Sequence, residues 1–228
     1  MNLIYFSQQD LCDKAVVDLF SSSTQQILRQ KKQVILGISG GRSVQGIFTL
    51  LREAPLPWRK IHIFMADERL VSITSPESNF YLARKLFLDR LLRKKELPVR
   101  NVHPFYRTPG IMHYAQELQR QGGQFDILLL GVGADGHIAS LFPHHLSLHD
   151  KVSYFLALNN APLPPTERMT ISPALVQKAG LAILLFYGKA KAGAYRAFRD
   201  RTVPIEECPA KLALAAKELY VVTDLKPD

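Results

Sequence analysis

Phe125-Asp126-Ile127-Leu128-Leu129-Leu130 runs straight into Gly131-Val132-Gly133-Ala134-Asp135-Gly136-His137. The first part is an apolar run of strand length with no polar alternation, the pattern of a strand covered on both faces of a parallel sheet. The second part places three glycines within six residues, which demands unusual dihedrals or a backbone that approaches something closely. Working outward, Val34–Ile38, Ile61–Met65, Leu181–Phe186 and Leu219–Val222 are apolar runs of the same kind. Between them lie stretches of helical periodicity over 8–30, 43–53, 79–93, 111–120 and 189–199. Leu11, Ala15, Leu19 and Ile27 mark the first of these, and Phe80, Ala83, Phe87 and Leu91 mark the third. Strand, helix, strand in series predicts an α/β fold: a Rossmann-like, doubly wound, mostly parallel sheet with helices on both faces. No internal repeat and no linker divides the chain, so one domain over residues 1–228 is expected.

Composition narrows the class. The chain has 228 residues, 47% hydrophobic and 21% charged, ordinary values that exclude global disorder and fibrous repeats. No apolar run approaches the ~20 residues of a membrane span. Met1 to Asp10 has neither the basic region nor the apolar length of a signal peptide. A soluble, cytoplasmic protein is expected, monomeric or weakly dimeric. Cys12 and Cys208 stand near opposite ends without metal or redox spacing, so two reduced thiols are expected. His144, His145 and His149 lack matching cysteines or acids, and no metal is expected. Lysine and arginine exceed aspartate and glutamate by 29 to 20, a surplus of +9 that suits an anionic partner. The densest cluster, Arg90, Arg93, Lys94 and Lys95, falls where a helix should end and complements its dipole. The basic residues form no stripe interleaved with aromatics, so nucleic acid is not expected.

Open α/β sheets bind ligands beyond the carboxyl ends of their strands. Three runs end there in polar tips. Ser39-Gly40-Gly41-Arg42-Ser43 precedes a helix and offers backbone N–H groups, hydroxyls and one cation to an anion, though it matches no nucleotide fingerprint. It could equally be a plain strand-to-helix turn. Asp67-Glu68-Arg69 sets three charges after a buried run: a surface ion cluster, or an orienting carboxylate with an oxyanion-binding arginine. The glycine-rich tip holds Asp135 and His137, and an imidazole near a carboxylate is the usual general-base arrangement. Arg168 and Lys189 are isolated cations downstream, the latter at another strand-to-helix junction.

Together these segments resemble the 6-phosphogluconolactonase family, grouped with the glucosamine-6-phosphate deaminases and isomerases. Leu130 to Pro143 is similar to that family's G-x-G-x-D-G-H-T-A-S-L-F-P, and Trp58 to Asn79 to its Asp-Glu-Arg and Ser-Asn segment. Ser39-Gly40-Gly41, Arg168-Met169-Thr170 and Gly188-Lys189 follow in the family's order. Ile138 departs from the usual threonine, Val44 and Ser72 stand where prolines are common, and Cys208-Pro209-Ala210-Lys211 matches only loosely. The deaminase branch follows its Gly-His-Ile-Ala with Phe-Asn-Glu-Pro and carries Asp-Glu-Tyr. Here Leu141-Phe142-Pro143 brings no carboxylate and Arg69 replaces the tyrosine.

The resemblance implies hydrolysis of 6-phospho-D-glucono-1,5-lactone to 6-phosphogluconate without a cofactor, with a small sugar phosphate as the partner. It implies His137 as general base, Asp135 or Asp67 as the orienting carboxylate, and Arg69 against developing charge or the substrate. Ser39, Gly40, Gly41, Arg42, Arg168 and Lys189 would surround the phosphate. A deaminase or isomerase, and a non-catalytic sugar-phosphate sensor, are the alternatives.

Overall fold

The computed structural model describes residues 1–227. In chain order its elements are β1 (Asn2–Tyr5), α1 (Gln9–Leu28), β2 (Val34–Ile38), α2 (Gln45–Leu51), β3 (Ile61–Met65), β4 (Asp67–Arg69), α3 (Asn79–Ala83), α4 (Asp89–Arg93), β5 (Val102–His103), α5 (Ile111–Gln121), β6 (Ile127–Gly131), β7 (Phe155–Leu158), β8 (Arg168–Ile171), α6 (Pro173–Gln177), β9 (Leu181–Phe186), α7 (Ala192–Arg199) and β10 (Glu218–Thr223). All five residues of β2 and all six of β9 are buried, so both faces of the central sheet are covered, as their unbroken apolar runs require.

The seven-stranded sheet has the order β1-β10-β9-β6-β2-β3-β5, and every pair in it is parallel. From β2 the chain winds outward to β3 and β5. From β6 it winds the other way, to β9 and β10. The order reverses between β2 and β6, and a crevice opens at such a switch point because the connections leave it on opposite sides. The doubly wound α/β architecture is the one the apolar runs predict.

A second, antiparallel sheet of order β4-β8-β7 was not legible in the sequence. Asp67-Glu68-Arg69 pairs with Arg168-Met169-Thr170, and charged strands of this length show no apolar run. The register sets Arg69 opposite Arg168 and Asp67 opposite Thr170. The edge strands β1 and β5 were missed for a related reason: they have four and two residues and little burial pattern.

Glu68 explains how the charged strand is tolerated. Its carboxylate is buried and accepts from the main-chain N–H groups of Arg69 (2.8 Å), Asn79 (2.7 Å) and Phe80 (2.8 Å) and from the Ser78 hydroxyl (3.0 Å). Two of these are free N–H groups at the start of α3, where a negative charge also complements the helix dipole. Burial pushes the Glu68 carboxyl up, and the four donors offset this only in part. Glu68→Ala strands all four donors away from water, so it should lower the unfolding free energy by about 3 kcal/mol. Urea denaturation reads this as a shifted midpoint at constant slope; a shift worth less than about 1 kcal/mol would show that water satisfies them.

Candidate active site

β2 and β6 are parallel neighbours, so the loops that follow them lie side by side in the crevice. Ser39 joins the two: its N–H donates to Leu129 O (3.1 Å), and its hydroxyl accepts from Gly131 N–H (3.1 Å). At Gly40 a Cβ would stand 2.0 Å from Asn79 Oδ1, so only glycine leaves room for that side chain. Asn79 in turn donates to Asp67 O at 2.9 Å, tying α3 to the second sheet. Gly41 has φ +91°, and a 3-10 turn over Arg42–Val44 leads into α2. The first N–H groups of that turn have no intrahelical acceptor, and Gly41, Arg42 and Ser43 line the crevice.

The loop after β6 carries the imidazole. His137 Nδ1 lies 2.6 Å from Asp135 Oδ1, and His137 N–H donates to the same oxygen at 3.1 Å. With a carboxylate on Nδ1 the network assigns the proton there, which leaves Nε2 as a free lone pair. Burial alone would raise the Asp135 carboxyl; the hydrogen bond and charge of His137 together outweigh it and hold it below the usual carboxylate range. A Cβ on Gly133 would fall 2.1 Å from His137 Nδ1 and 2.5 Å from Asp135 Oδ1, so the pair exists only because residue 133 is glycine. Gly136 has φ +88° and packs on Cys208, while Ala210 N–H donates to Gly136 O at 3.0 Å. The loosely matching segment 208–211 thus braces the loop from beneath, a role its sequence did not disclose.

Asp67 is engaged elsewhere. It is buried and accepts from the Ser140 hydroxyl at 3.0 Å, and Ser140 N–H donates to Thr170 Oγ1 at 3.1 Å. Asp135, not Asp67, therefore holds the imidazole. Arg168 stands at this same end: its guanidinium lies 5.5 Å over the Phe142 ring, which packs 4.8 Å from the His137 ring. Its Nε and one Nη donate to the carbonyls of Leu163, Pro164 and Pro165. Arg69 gives one Nη to Glu77 O (2.6 Å) and keeps its Nε unpaired.

The cationic end is built from the first and last tips. Lys191 Nζ donates to Ser43 Oγ at 2.6 Å. Burial, reinforced by the Arg42 charge, pushes the Lys191 ammonium down to about 8, although Asp224 opposes this. Gly188, with φ +85°, opens a 3-10 turn over Lys189–Lys191. That turn leaves Lys189 exposed at the rim and sends Lys191 inward. Both lysines are visible in Lys189-Ala190-Lys191, but nothing in the sequence tells which one the turn buries.

These groups share one cavity of about 560 Å³. Its wall includes Ser39, Gly40, Gly41, Arg42, Asp67, Arg69, His137, Arg168 and Lys189, which the sequence singled out, together with Lys191, which it did not. Asp135 stands behind His137 and reaches the cavity through it. The arrangement offers a carboxylate-oriented base at one end and cations with free N–H groups at the other.

A family model described as glucosamine-6-phosphate isomerases/6-phosphogluconolactonase matches residues 7–222. A 6-phosphogluconolactonase of Borreliella burgdorferi is 29% identical over 233 residues, covering 100% of this chain and 97% of the relative. One of Synechocystis is 30% identical over 235 residues, covering 97% and 94%. The crystal structure of a 6-phosphogluconolactonase from Shewanella baltica matches with a TM-score of 0.85 at 23% identity, over 98% of this chain and 96% of that one. At that identity the structural likeness speaks for the fold.

The contact at Gly133 is directly testable. Gly133→Ala should leave thermal stability nearly intact, since the loop is partly exposed, but should displace the imidazole from Asp135. Long-range ¹H–¹⁵N spectra of the histidine rings should show His137 losing its fixed Nδ1–H tautomer. An unchanged tautomer would mean that the backbone absorbs the extra methyl.

Proposed function

This chain belongs to the glucosamine-6-phosphate isomerase/6-phosphogluconolactonase family, and we propose that it hydrolyses 6-phospho-D-glucono-1,5-lactone to 6-phosphogluconate. One observation carries the reading: an imidazole with a free Nε2 and the Arg42–Lys191 cation pair line the same cavity. A sugar ring with a phosphate at one end and a carbonyl at the other matches that polarity.

His137 Nε2 takes a proton from water as the water oxygen adds to the lactone carbonyl carbon. Asp135 keeps Nδ1 protonated and stabilises the imidazolium that forms. Arg69, held by the bond of one Nη to Glu77 O and lining the cavity, complements the charge developing on the carbonyl oxygen. The tetrahedral adduct then collapses, the bond from carbon to ring oxygen breaks, and the imidazolium returns the proton to that oxygen. The ring opens to the acid. At the far end Arg42, Lys191 and the N–H groups after Gly40 hold the phosphate, with Lys189 at the rim. Arg168 braces the loop beside Phe142, and its donors are too committed to serve the phosphate.

The deaminase alternative asks for a carboxylate near the imidazole at the place where this chain has Phe142, and that ring is buried against His137. Ile138 is wholly buried, with its side chain in the core, so its departure from the family pattern alters packing and not the cavity wall.

His137→Ala should lower kcat for phosphogluconolactone by about 10²–10⁴-fold while the protein stays folded. A coupled assay against the uncatalysed background reads this, with ammonia release from glucosamine 6-phosphate measured alongside. A folded, fully active His137→Ala protein would overturn the assignment. The phosphate end has its own signature. Below about 8 Lys191 is charged in the free protein, and a bound phosphate holds it charged to higher pH. Affinity for 6-phosphogluconate should therefore fall as pH rises through that value, by up to about tenfold per unit. Lys191→Met should weaken binding at neutral pH and flatten the slope in calorimetric titrations; a slope that persists would place the titrating group elsewhere.

A further inference from the structure

The densest run of cations in the sequence, Arg90, Arg93, Lys94 and Lys95, takes no part in the lactone cavity. Two of these residues border a second recess of about 370 Å³, formed where the end of α2 meets the helix spanning 79–93. Its wall includes Arg52, Tyr81, Arg84, Lys85, Arg90 and Arg93. A helix C-terminus explains Arg90 and Arg93 in the last turn of α4 and Arg52 at the end of α2, but not Arg84 and Lys85 one to two turns earlier.

Three observations distinguish this recess from a solvated basic face. The first is charge. Glu53 pairs with Arg52 (3.2 Å) and Arg90 (2.5 Å), and Asp89 pairs with Arg84 (2.8 Å). Lys85 and Arg93 have no ion-pair partner among the described residues. Five cations against two carboxylates leave a surplus of three. The second is unmet hydrogen bonding: Arg90 pairs with Glu53 through one Nη, and its Nε is buried with no acceptor. Buried donors normally find partners, and an orphaned guanidinium donor beside this recess marks a place for an acceptor. The third is the backbone. Arg84–Leu88, between α3 and α4, is wound as a π turn, a local widening found often at functional sites. It lets Phe87 and Leu88 both be fully buried below while Arg84, Lys85 and Asp89 stay on the recess side.

We propose that this recess binds a small polyphosphate anion, a diphosphate or triphosphate, either inorganic or carried by a nucleoside whose base lies on Tyr81. Guanidinium forks match phosphate oxygens in bidentate geometry, and a surplus of three charges fits more than one phosphate group. The recess has the size of a small-ligand site, and its cations converge instead of forming the stripe a nucleic-acid backbone follows.

Calorimetric titration of the full chain with inorganic tripolyphosphate at low ionic strength tests the proposal. Binding should weaken about tenfold or more in Arg84→Ala/Arg93→Ala, with lactone hydrolysis unchanged. It should survive Lys191→Met, which alters only the lactone cavity. Arg93→Glu, an unpaired surface position, gives the same reading should the double variant fold poorly. In a parallel arm a nucleoside triphosphate that binds more tightly than tripolyphosphate, and loses the advantage in Tyr81→Leu, identifies the nucleoside-borne ligand; equal affinities identify the inorganic one. Absence of binding, binding undiminished in the arginine variants, or binding lost in Lys191→Met would overturn the proposal. So would an oligonucleotide that outcompetes tripolyphosphate with affinity rising along its length.

Discussion

The N–H of Ser39 donates to Leu129 O while its hydroxyl accepts from Gly131 N–H, and these two bonds close the seam between β2 and β6 beyond their last ladder pairs. The seam matters because the strand order reverses there. Winding proceeds from β2 to β3 on one side and from β6 to β9 on the other, so no connection covers the crevice. Both loops that line the cavity here are extensions of these two strands. The glycine turn that leads into α2 starts one residue past Ser39, and the imidazole loop starts at Gly131. Their spacing is inherited from the strand separation of a parallel sheet and owes little to the loops themselves.

Two missing side chains then shape the site. A Cβ at Gly40 would collide with Asn79, and a Cβ at Gly133 with His137 and Asp135. The first absence lets α3 be tied to the second sheet through Asn79 and Asp67. The second lets a carboxylate and an imidazole two residues apart turn toward each other. Preorganisation of this kind lowers the barrier only if the loop cannot relax. Cys208 beneath Gly136, the bond from Ala210 to Gly136, and Ser140 held between Asp67 and Thr170 supply that rigidity from three separate segments.

Legibility in the sequence followed the physics of burial. Val34–Ile38, Ile61–Met65 and Leu181–Phe186 are observed as strands with the expected bounds, because a strand covered on both faces must be apolar throughout. Asp67–Arg69 and Arg168–Ile171 stayed hidden as strands because they bury charged groups through hydrogen bonds, as Glu68 does, and leave no hydropathic trace. The site residues were legible as types at strand tips, but their pairing was not. Asp135 and Asp67 are equivalent in the sequence, and only the loop path assigns one to His137 and the other to Ser140. The choice between Lys189 and Lys191 likewise depends on where a 3-10 turn begins, which one glycine at positive φ decides.

The cationic end is the least comfortable part of the molecule, and that is informative. Lys191 is partly buried beside Arg42, its hydrogen-bond partner is a neutral hydroxyl, and the nearby Asp224 gives an oxygen to Gly188 N–H. Like charges packed without a carboxylate between them destabilise the free protein, and burial adds to the cost. A structural ion pair would have removed that cost with one acidic residue in the wall. Leaving it in place favours any ligand that brings two negative charges, because binding releases repulsion as well as forming new bonds. The same reasoning separates the two ends of the cavity. Asp135 already complements the imidazole, so that end gains nothing from an anion, and under the proposed function charge sets the orientation of a sugar phosphate before its ring meets His137.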